Sequence, residues 1–341
     1  MKRPVTEQLK QKGIIRSIQK PAMLLALIVV MTLLSPKVFL TPGNISSILL
    51  AVCIYGVMVC GTIFPLLNGG IDLSIGSTAA LSGSIMVLVT IAFNYSTLGT
   101  IIGIACGLGA GVLCGLFNGV VSYYFAIPAF IVTLAAKNIV LGIAQHITHQ
   151  NTIICLYSDV MNRIGSGKIL GIPFPVIFCV LLFVVTWFVL RRTTFGRYTY
   201  AVGGNATASR YSGINSRRVG ISAYVISGMT AAMAGIMLSC FNRQATSAQA
   251  GGYDGDVLVA LVVGGVSMAG GEGSITGAVF GLLLLGIINN AMVLLGVDAI
   301  YQDLIKGVLV VIAVAVDMYA RNKNNGLKRK TKLLRIRRIY K

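Results

Sequence analysis

Apolar stretches able to cross a bilayer recur along almost the whole sequence, and that repetition constrains the fold more than any other feature. A helix crossing hydrocarbon needs about 20 apolar residues. Ten segments are candidates, near 22–40, 48–67, 71–93, 98–122, 127–148, 170–190, 219–241, 255–270, 274–296 and 300–319. The second, fourth, sixth, seventh, ninth and tenth are strong. The third and eighth are rich in glycine and serine and the eighth is short, so either is open to being re-entrant or broken. The fifth is weakest, because it contains Lys137 and His146. Only 11% of the 341 residues are charged and mean hydropathy is +0.85, too apolar for a soluble globule or for disorder. The expectation is an all-α, polytopic transmembrane bundle of about ten spans in a lipid bilayer, with short or broken helices.

Placement of charge supports this. The net charge is +19, with six basic residues in 1–20, six in 191–218 and ten in 321–341. Positive charge gathered in short segments beside apolar runs follows the positive-inside rule, which argues against nucleic acid as a partner. The chain therefore divides into a basic tail (1–21), a transmembrane domain (22–320) with a cytoplasmic loop at 191–218, and a second basic tail (321–341) suited to anionic headgroups or a cytoplasmic partner. Six spans and then four separate these segments, so both termini are expected to be cytoplasmic. Ala22–Leu34 leads into Ser35-Pro36-Lys37 with no small-x-small cleavage site, so no cleaved signal is expected. The seven cysteines have no metal-ligand or CxxC spacing and read as small buried hydrophobes.

Two echoes point to duplication. Gly69-Gly70-Ile71-Asp72 follows the second span and Gly251-Gly252-Tyr253-Asp254 the seventh; Gly115–Gly119 and Gly286–Asn290 echo each other later. The topology puts the first Gly-Gly-x-Asp inside and the second outside, which would make the halves an inverted repeat, a common transporter plan. Gly103, Gly107, Gly111, Gly115 and Gly119 fall on one helix face. Bare glycine faces let backbones approach closely where lipid offers no hydrophobic drive.

Enzymatic chemistry is poorly supported. The nine acids are scattered, no nucleophile elbow is present, and His146 and His149 lack nearby acids or cysteines for a metal. Gly165-Ser166-Gly167-Lys168 fails as a phosphate loop, because Ile169 stands where Ser/Thr is required and Asn162 where the first glycine belongs. No metal or cofactor is expected. In the 191–218 loop, Gly203, Gly204 and Asn205 make a turn and cap, and Ala206–Tyr211 forms a short helix closed by Gly213. Such a stub suits contact with a cytosolic protein; a solvated loop that only sets topology fits the composition equally well.

The stretches NGGIDLSIGS (68–77), CGLFNGV (114–120), IPAFIVTL (127–134), TTFGRYTYAVGGNATASRYSGIN (193–215), GGVSMAGGEGSITGAVFGLLLLGIINNAMVLLGV (264–297) and QDLIKGVLVVIAVAVD (302–317) occur in order and with ordinary spacing. This set resembles the membrane permease subunit of ribose/xylose-type ATP-binding-cassette sugar importers. The resemblance implies a bacterial inner-membrane subunit that pairs with a second permease copy, docks a cytoplasmic ATP-binding-cassette ATPase and receives substrate from an extracytoplasmic sugar-binding protein. By the same match, Gly203, Gly204, Asn205, Ala208, Arg210, Ser212, Gly213 and Ile214 form the segment coupling to the ATPase, and Gly69, Gly70 and Asp72 form a structural motif. Ala135-Ala136-Lys137 and Asp254-Gly255-Asp256-Val257 depart from the family's pattern, which bears on substrate identity. Related permeases carry nucleosides and branched-chain amino acids.

A polyol needs a polar path, since its hydroxyls are expensive to desolvate. Asn118, Ser77, Ser82, Thr133, Asn289 and Asn290 are candidate lining groups, each with the alternative of an interhelical hydrogen bond worth about 0.6 kcal/mol. Lys137 costs about 2.5–3.5 kcal/mol at a helix centre, so it should face the interior or the span should be shorter. Lys306 and Asp317 read as partners of headgroups or neighbours, and Trp187 with Tyr198 and Tyr200 as an interfacial anchor. Two other classes compete: an ion-coupled transporter, disfavoured for want of a buried carboxylate set, and a membrane enzyme, disfavoured for want of an acid/base constellation.

Overall fold

The computed structural model describes residues 21–298 and, between 300 and 315, all but 303, 310 and 313. The first twenty residues, the C-terminal tail and Asp317 lie outside the described residues. In chain order the helices are α1 (Pro21–Leu34), α2 (Pro42–Leu67), α3 (Ile75–Ala92), α4 (Thr97–Tyr124), α5 (Ala129–Thr148), α6 (Asp159–Ser166), α7 (Phe174–Arg192), α8 (Thr194–Gly204), α9 (Ala206–Tyr211), α10 (Ser216–Asn242), α11 (Tyr253–Val263) and α12 (Ile275–Leu294). The described residues of 300–315 are helical and are called α13. Four two-residue strands form two antiparallel pairs: β1 (Ile153–Ile154) with β4 (Gln244–Ala245), distant in sequence, and β2 (Lys168–Ile169) with β3 (Ile172–Pro173), a tight hairpin.

Seven helices, α2, α3, α4, α5, α7, α10 and α12, are long and apolar enough to cross a bilayer. The expected first segment, 22–40, is helical only to Leu34: Pro36 biases Ser35 away from the α region, and turns follow. Of the expected third and eighth segments, the third is an unbroken helix that starts late and the eighth is short. Residues 70–74 are non-helical before α3 begins, and α11 has 11 residues, about 16 Å of rise, or half the hydrocarbon thickness.

The core centres on α2 and α10, which pack antiparallel, with α3 and α4 against α10. The glycine face of α4 makes this possible. All five of its glycines are buried. A methyl at Gly103 or Gly107 would stand 2.6 Å from the carbonyl oxygens of Met86 or Ser82 on α3, and one at Gly111 2.5 Å from that of Gly228 on α10.

The bundle has two distinct ends. At one, the hairpin end, β1 pairs with β4 and α6 packs against the end of α10. At the other, the α9 end, the α2 terminus meets Gly203 and Gly271. α3 and α11 start side by side in the interior, where a methyl on Gly76 would be 2.6 Å from the Ala250 carbonyl oxygen and 3.5 Å from Asp254 Oδ1. From there α3 runs to the hairpin end, reaching β1 and β4. α11 runs to the α9 end, where Gly271 N–H donates to the Leu67 carbonyl at 2.8 Å.

Candidate functional site: buried carboxylates, a polar cavity and an exposed helical stub

The first Gly-Gly-x-Asp segment descends into the bundle because glycine allows it. Gly69 has φ +82°, a conformation that side-chain-bearing residues rarely adopt, and a methyl on Gly70 would collide with the Tyr224 hydroxyl. Asp72 is thereby delivered to a site where it is 3% exposed. Its Oδ1 accepts from Ser74 N–H at 3.0 Å and Ser74 Oγ at 2.7 Å; its Oδ2 accepts from Ser227 Oγ of α10 at 2.7 Å. Ser74 Oγ in turn accepts from Asn118 Nδ2 of α4 at 2.7 Å. Thr133 of α5 donates to the Ile71 carbonyl at 3.0 Å, and Ser77 to that of Ser74 at 2.9 Å. Three of the candidate lining residues, Asn118, Ser77 and Thr133, thus converge on one segment. Ser82 lies further along α3, fully buried with an unpartnered hydroxyl.

The second segment is neutralised by lysines. Lys137 Nζ of α5 lies 2.7 Å from Asp254 Oδ2, and Lys306 Nζ of α13 lies 3.3 Å from Asp256 Oδ2. Lys137 therefore faces the interior, one of the two outcomes its energetic cost allows, and Lys306 has a protein neighbour. The expectation that the spans lack a buried carboxylate set does not hold: Asp72, Asp254 and Asp256 are all buried. They come from two distant parts of the sequence and gather only because α3 and α11 begin side by side. A signal existed in the balance of charge, since two lysines and two acids within apolar stretches invite pairing.

Asn289 and Asn290 belong to a different place. Between α2, α10, α11, α12 and α13 lies a cavity of about 560 Å³, whose lining includes both asparagines with Tyr55, Tyr253, Gln302 and Lys306. Asn290 exchanges hydrogen bonds with Asn44 at 2.8 and 3.1 Å, whereas Asn289 Oδ1 is buried without a partner. The Tyr55 and Tyr253 rings lie 4.5 Å apart, tilted by 38°.

At the opposite end of the bundle α9 forms where the sequence puts it. Asn205 Oδ1 accepts from Ala208 N–H at 2.9 Å as N-cap, and Gly213 closes the turn at φ +82°. Ser212 Oγ donates to the Ala208 carbonyl and Ile214 N–H to that of Ser209, both at 3.0 Å. Gly204, Asn205, Ala208, Arg210, Ser212 and Gly213 are exposed. Gly203 is wedged inward: a methyl there would overlap the Leu67 carbonyl and stand 2.7 Å from Gly271 N. Tyr200, expected at the interface, instead donates to the Gly273 carbonyl at 3.0 Å. Burial pushes its phenol up, against the lowering effect of Arg191. Trp187 packs partly buried against the main core.

Comparison with known proteins bears on what this arrangement does. The family described as branched-chain amino acid transport system / permease component matches residues 44–314. The ribose import permease protein RbsC of Escherichia coli (strain K12) is 37% identical over 298 residues, 86% of this chain and 91% of that protein. RbsC of Bacillus subtilis (strain 168) is 36% identical over 295 residues, covering 86% and 90%. The L-arabinose ABC transporter permease protein AraH of Azospirillum brasilense is 35% identical over 319 residues, covering 93% and 92%. No solved structure matches the chain.

Proposed function

The chain belongs to the branched-chain amino acid transport system / permease component family, a multi-pass membrane transporter component rather than an enzyme, and on that premise we propose that it forms the translocation path of an ATP-driven monosaccharide importer. The sugar is a pentose such as ribose or a related hexose, as the names of its relatives suggest. A separate cytoplasmic ATPase drives the subunit, an extracytoplasmic sugar-binding protein feeds it, and a second copy completes the path. Ten membrane segments, both termini cytoplasmic, accommodate the seven long helices together with α1, α11 and α13. The opposed courses of α3 and α11 from a shared mid-bundle start support an inverted repeat.

The observation that carries this reading is the exposed α9 stub, capped at both ends and backed by Gly203 against Leu67 and Gly271. ATP-driven closure of the ATPase pair pushes the stub. Leu67 leads into the Asp72 segment and Gly271 into the turn below α11, so one push reaches α3 and α11. The bundle then tilts from inward-open to outward-open, with Asn118, Ser77, Ser82 and Thr133 beside the moving segments.

Reconstitution with the ATPase and binding protein is expected to give nucleotide-dependent accumulation of labelled ribose or arabinose. Accumulation by the chain alone on an ion gradient would replace this reading with ion coupling, which the buried carboxylates would then serve. Replacing Ala208 with Trp, or Gly213 with Val, is expected to lower uptake at least tenfold while ATP hydrolysis continues; coupled transport at the wild-type rate would remove the stub from the drive.

A further inference from the structure

We propose that the β2–β3 hairpin is a lipid anchor, whose tip of Ile169, Leu170 and Ile172 inserts into the bilayer leaflet opposite α9. This goes beyond the proposed function and does not depend on it. The hairpin closes through a two-residue loop: Ile169 pairs with Ile172, and Leu170 and Gly171 between them have φ +53° and +82°. Both loop residues therefore adopt the left-handed conformation of a type I′ turn, whose first position favours asparagine, aspartate or glycine. Leucine there is strained. Yet Leu170 is 98% exposed, with Ile169 and Ile172 about half exposed. A leucine that strains the backbone and packs on nothing returns no free energy in water. Among acyl chains it does, because its whole side chain leaves water.

The length of α7 puts the tip at the right depth. Arg191 and Arg192, both exposed, mark the headgroup level at the α9 end of this helix. The apolar run before them, 174–190, rises about 25 Å, against a hydrocarbon thickness of about 30 Å. β3 ends at Pro173 and α7 starts at Phe174, so the hairpin occupies the missing length. Standing straight up from α7, it would add about 10 Å and place Leu170 about 35 Å from Leu190, level with the headgroups of the far leaflet. Any lean of the hairpin or tilt of α7 lowers the tip toward the acyl chains. Along α7 itself Val180, Leu181, Val184, Val185 and Phe188 form one apolar face, each about half exposed.

The chemistry of the tip favours lipid over a protein partner. It offers aliphatic carbon alone, without the tryptophan, tyrosine or arginine that anchors most protein interfaces. At its base Lys168 and Arg163 are exposed, and a long cationic side chain beside an apolar insertion reaches up to headgroup phosphates. The base is also tied to the bundle. Gly167 N–H donates to the Arg163 carbonyl at 3.0 Å, and Phe174 N–H to that of Gly167 at 2.8 Å. In α6, Gly165 lies so close to the Cys240 carbonyl that a methyl there would overlap it. A hairpin held in the leaflet thus fixes the end of α10, through α6, at a set depth.

The test reads the depth of the tip by fluorescence in the full chain. Trp187, the one tryptophan, is replaced by Phe, and Leu170→Trp or Ile172→Trp is added; the second lies outside the strained loop and carries the readout if the first does not fold. Each is reconstituted in phosphatidylethanolamine/phosphatidylglycerol vesicles, with or without bromine on the upper part of the acyl chains. The expected result is blue-shifted emission, quenched at least twofold by the brominated lipid and unchanged when protein is diluted in lipid or a sugar-binding protein is added. Water-like emission without quenching would overturn the anchor. So would a blue shift that appears only with the sugar-binding protein, or one that fades on dilution in lipid, since the tip would then dock that partner or a second copy.

Discussion

Asp72 and Asp254 stand at the same place in two Gly-Gly-x-Asp segments, yet the bundle satisfies them in opposite ways. Asp72, 3% exposed, is held by two serines and a backbone N–H, with short hydroxyl groups anchored on α10 and on its own segment. Asp254, 8% exposed, is held by a long flexible lysine from α5. Short hydroxyl partners fix a carboxylate to its neighbours with little freedom. A lysine on four methylenes follows its partner over several ångströms. The first segment is held by short, direct bonds, and the second by a long side chain able to keep its charge compensated over a range of positions.

The largest expected effect breaks the second arrangement. Lys137→Met leaves Asp254 buried without its counter-ion and should cost about 3 kcal/mol in stability, the low end for a broken buried pair because Lys137 is one-third exposed. Thermal unfolding in detergent measures this, and Lys137→Met with Asp254→Leu together should recover most of the loss. Failure of the double variant to recover would show that the pair is not acting as a unit.

Asp72→Asn tests the first arrangement. An amide cannot accept at both ends, so one of the Ser74 or Ser227 donors faces an N–H₂ group, at a cost of about 2 kcal/mol. Substituting a lysine elsewhere should not rescue it. Rescue by Lys137→Met would mean that the two acids share one charge environment, erasing the contrast.

The smallest effect sharpens the comparison at the glycines. Gly69 and Gly252 have nearly equal φ, +82° and +80°, so alanine at either meets a similar backbone penalty of roughly 1–2 kcal/mol. A methyl at Gly69 also stands 3.3 Å from the Ala269 carbonyl oxygen, whereas one at Gly252 meets open space. Gly69→Ala should therefore be the more destabilising by a few tenths of a kcal/mol, read from the same unfolding curves; equal losses would indicate that the first segment yields as readily as the second.

These contrasts set what the sequence reveals. The α9 stub was legible because its determinants are local: an amide cap at Asn205, a glycine stop at Gly213 and a short run between them. The α4 glycine face was legible because its period matches the helix. Interruption before α3 and the shortness of α11 were legible from composition. The Lys137–Asp254 pair was not, since its members are 117 residues apart and only the mid-bundle start of α11 brings them together. Nor does Asn118 declare its partner, because Ser74 reaches it only after Gly69 and Gly70 turn the chain inward.

The meeting of Gly203, Leu67 and Gly271 is main chain against main chain, with no side chain between. Side chains are the springs of a protein, able to rotate and absorb a displacement; peptide units are not. A contact of bare peptide units has no side chain to yield, so in the proposed drive a displacement of the stub would reach Leu67 and Gly271 directly.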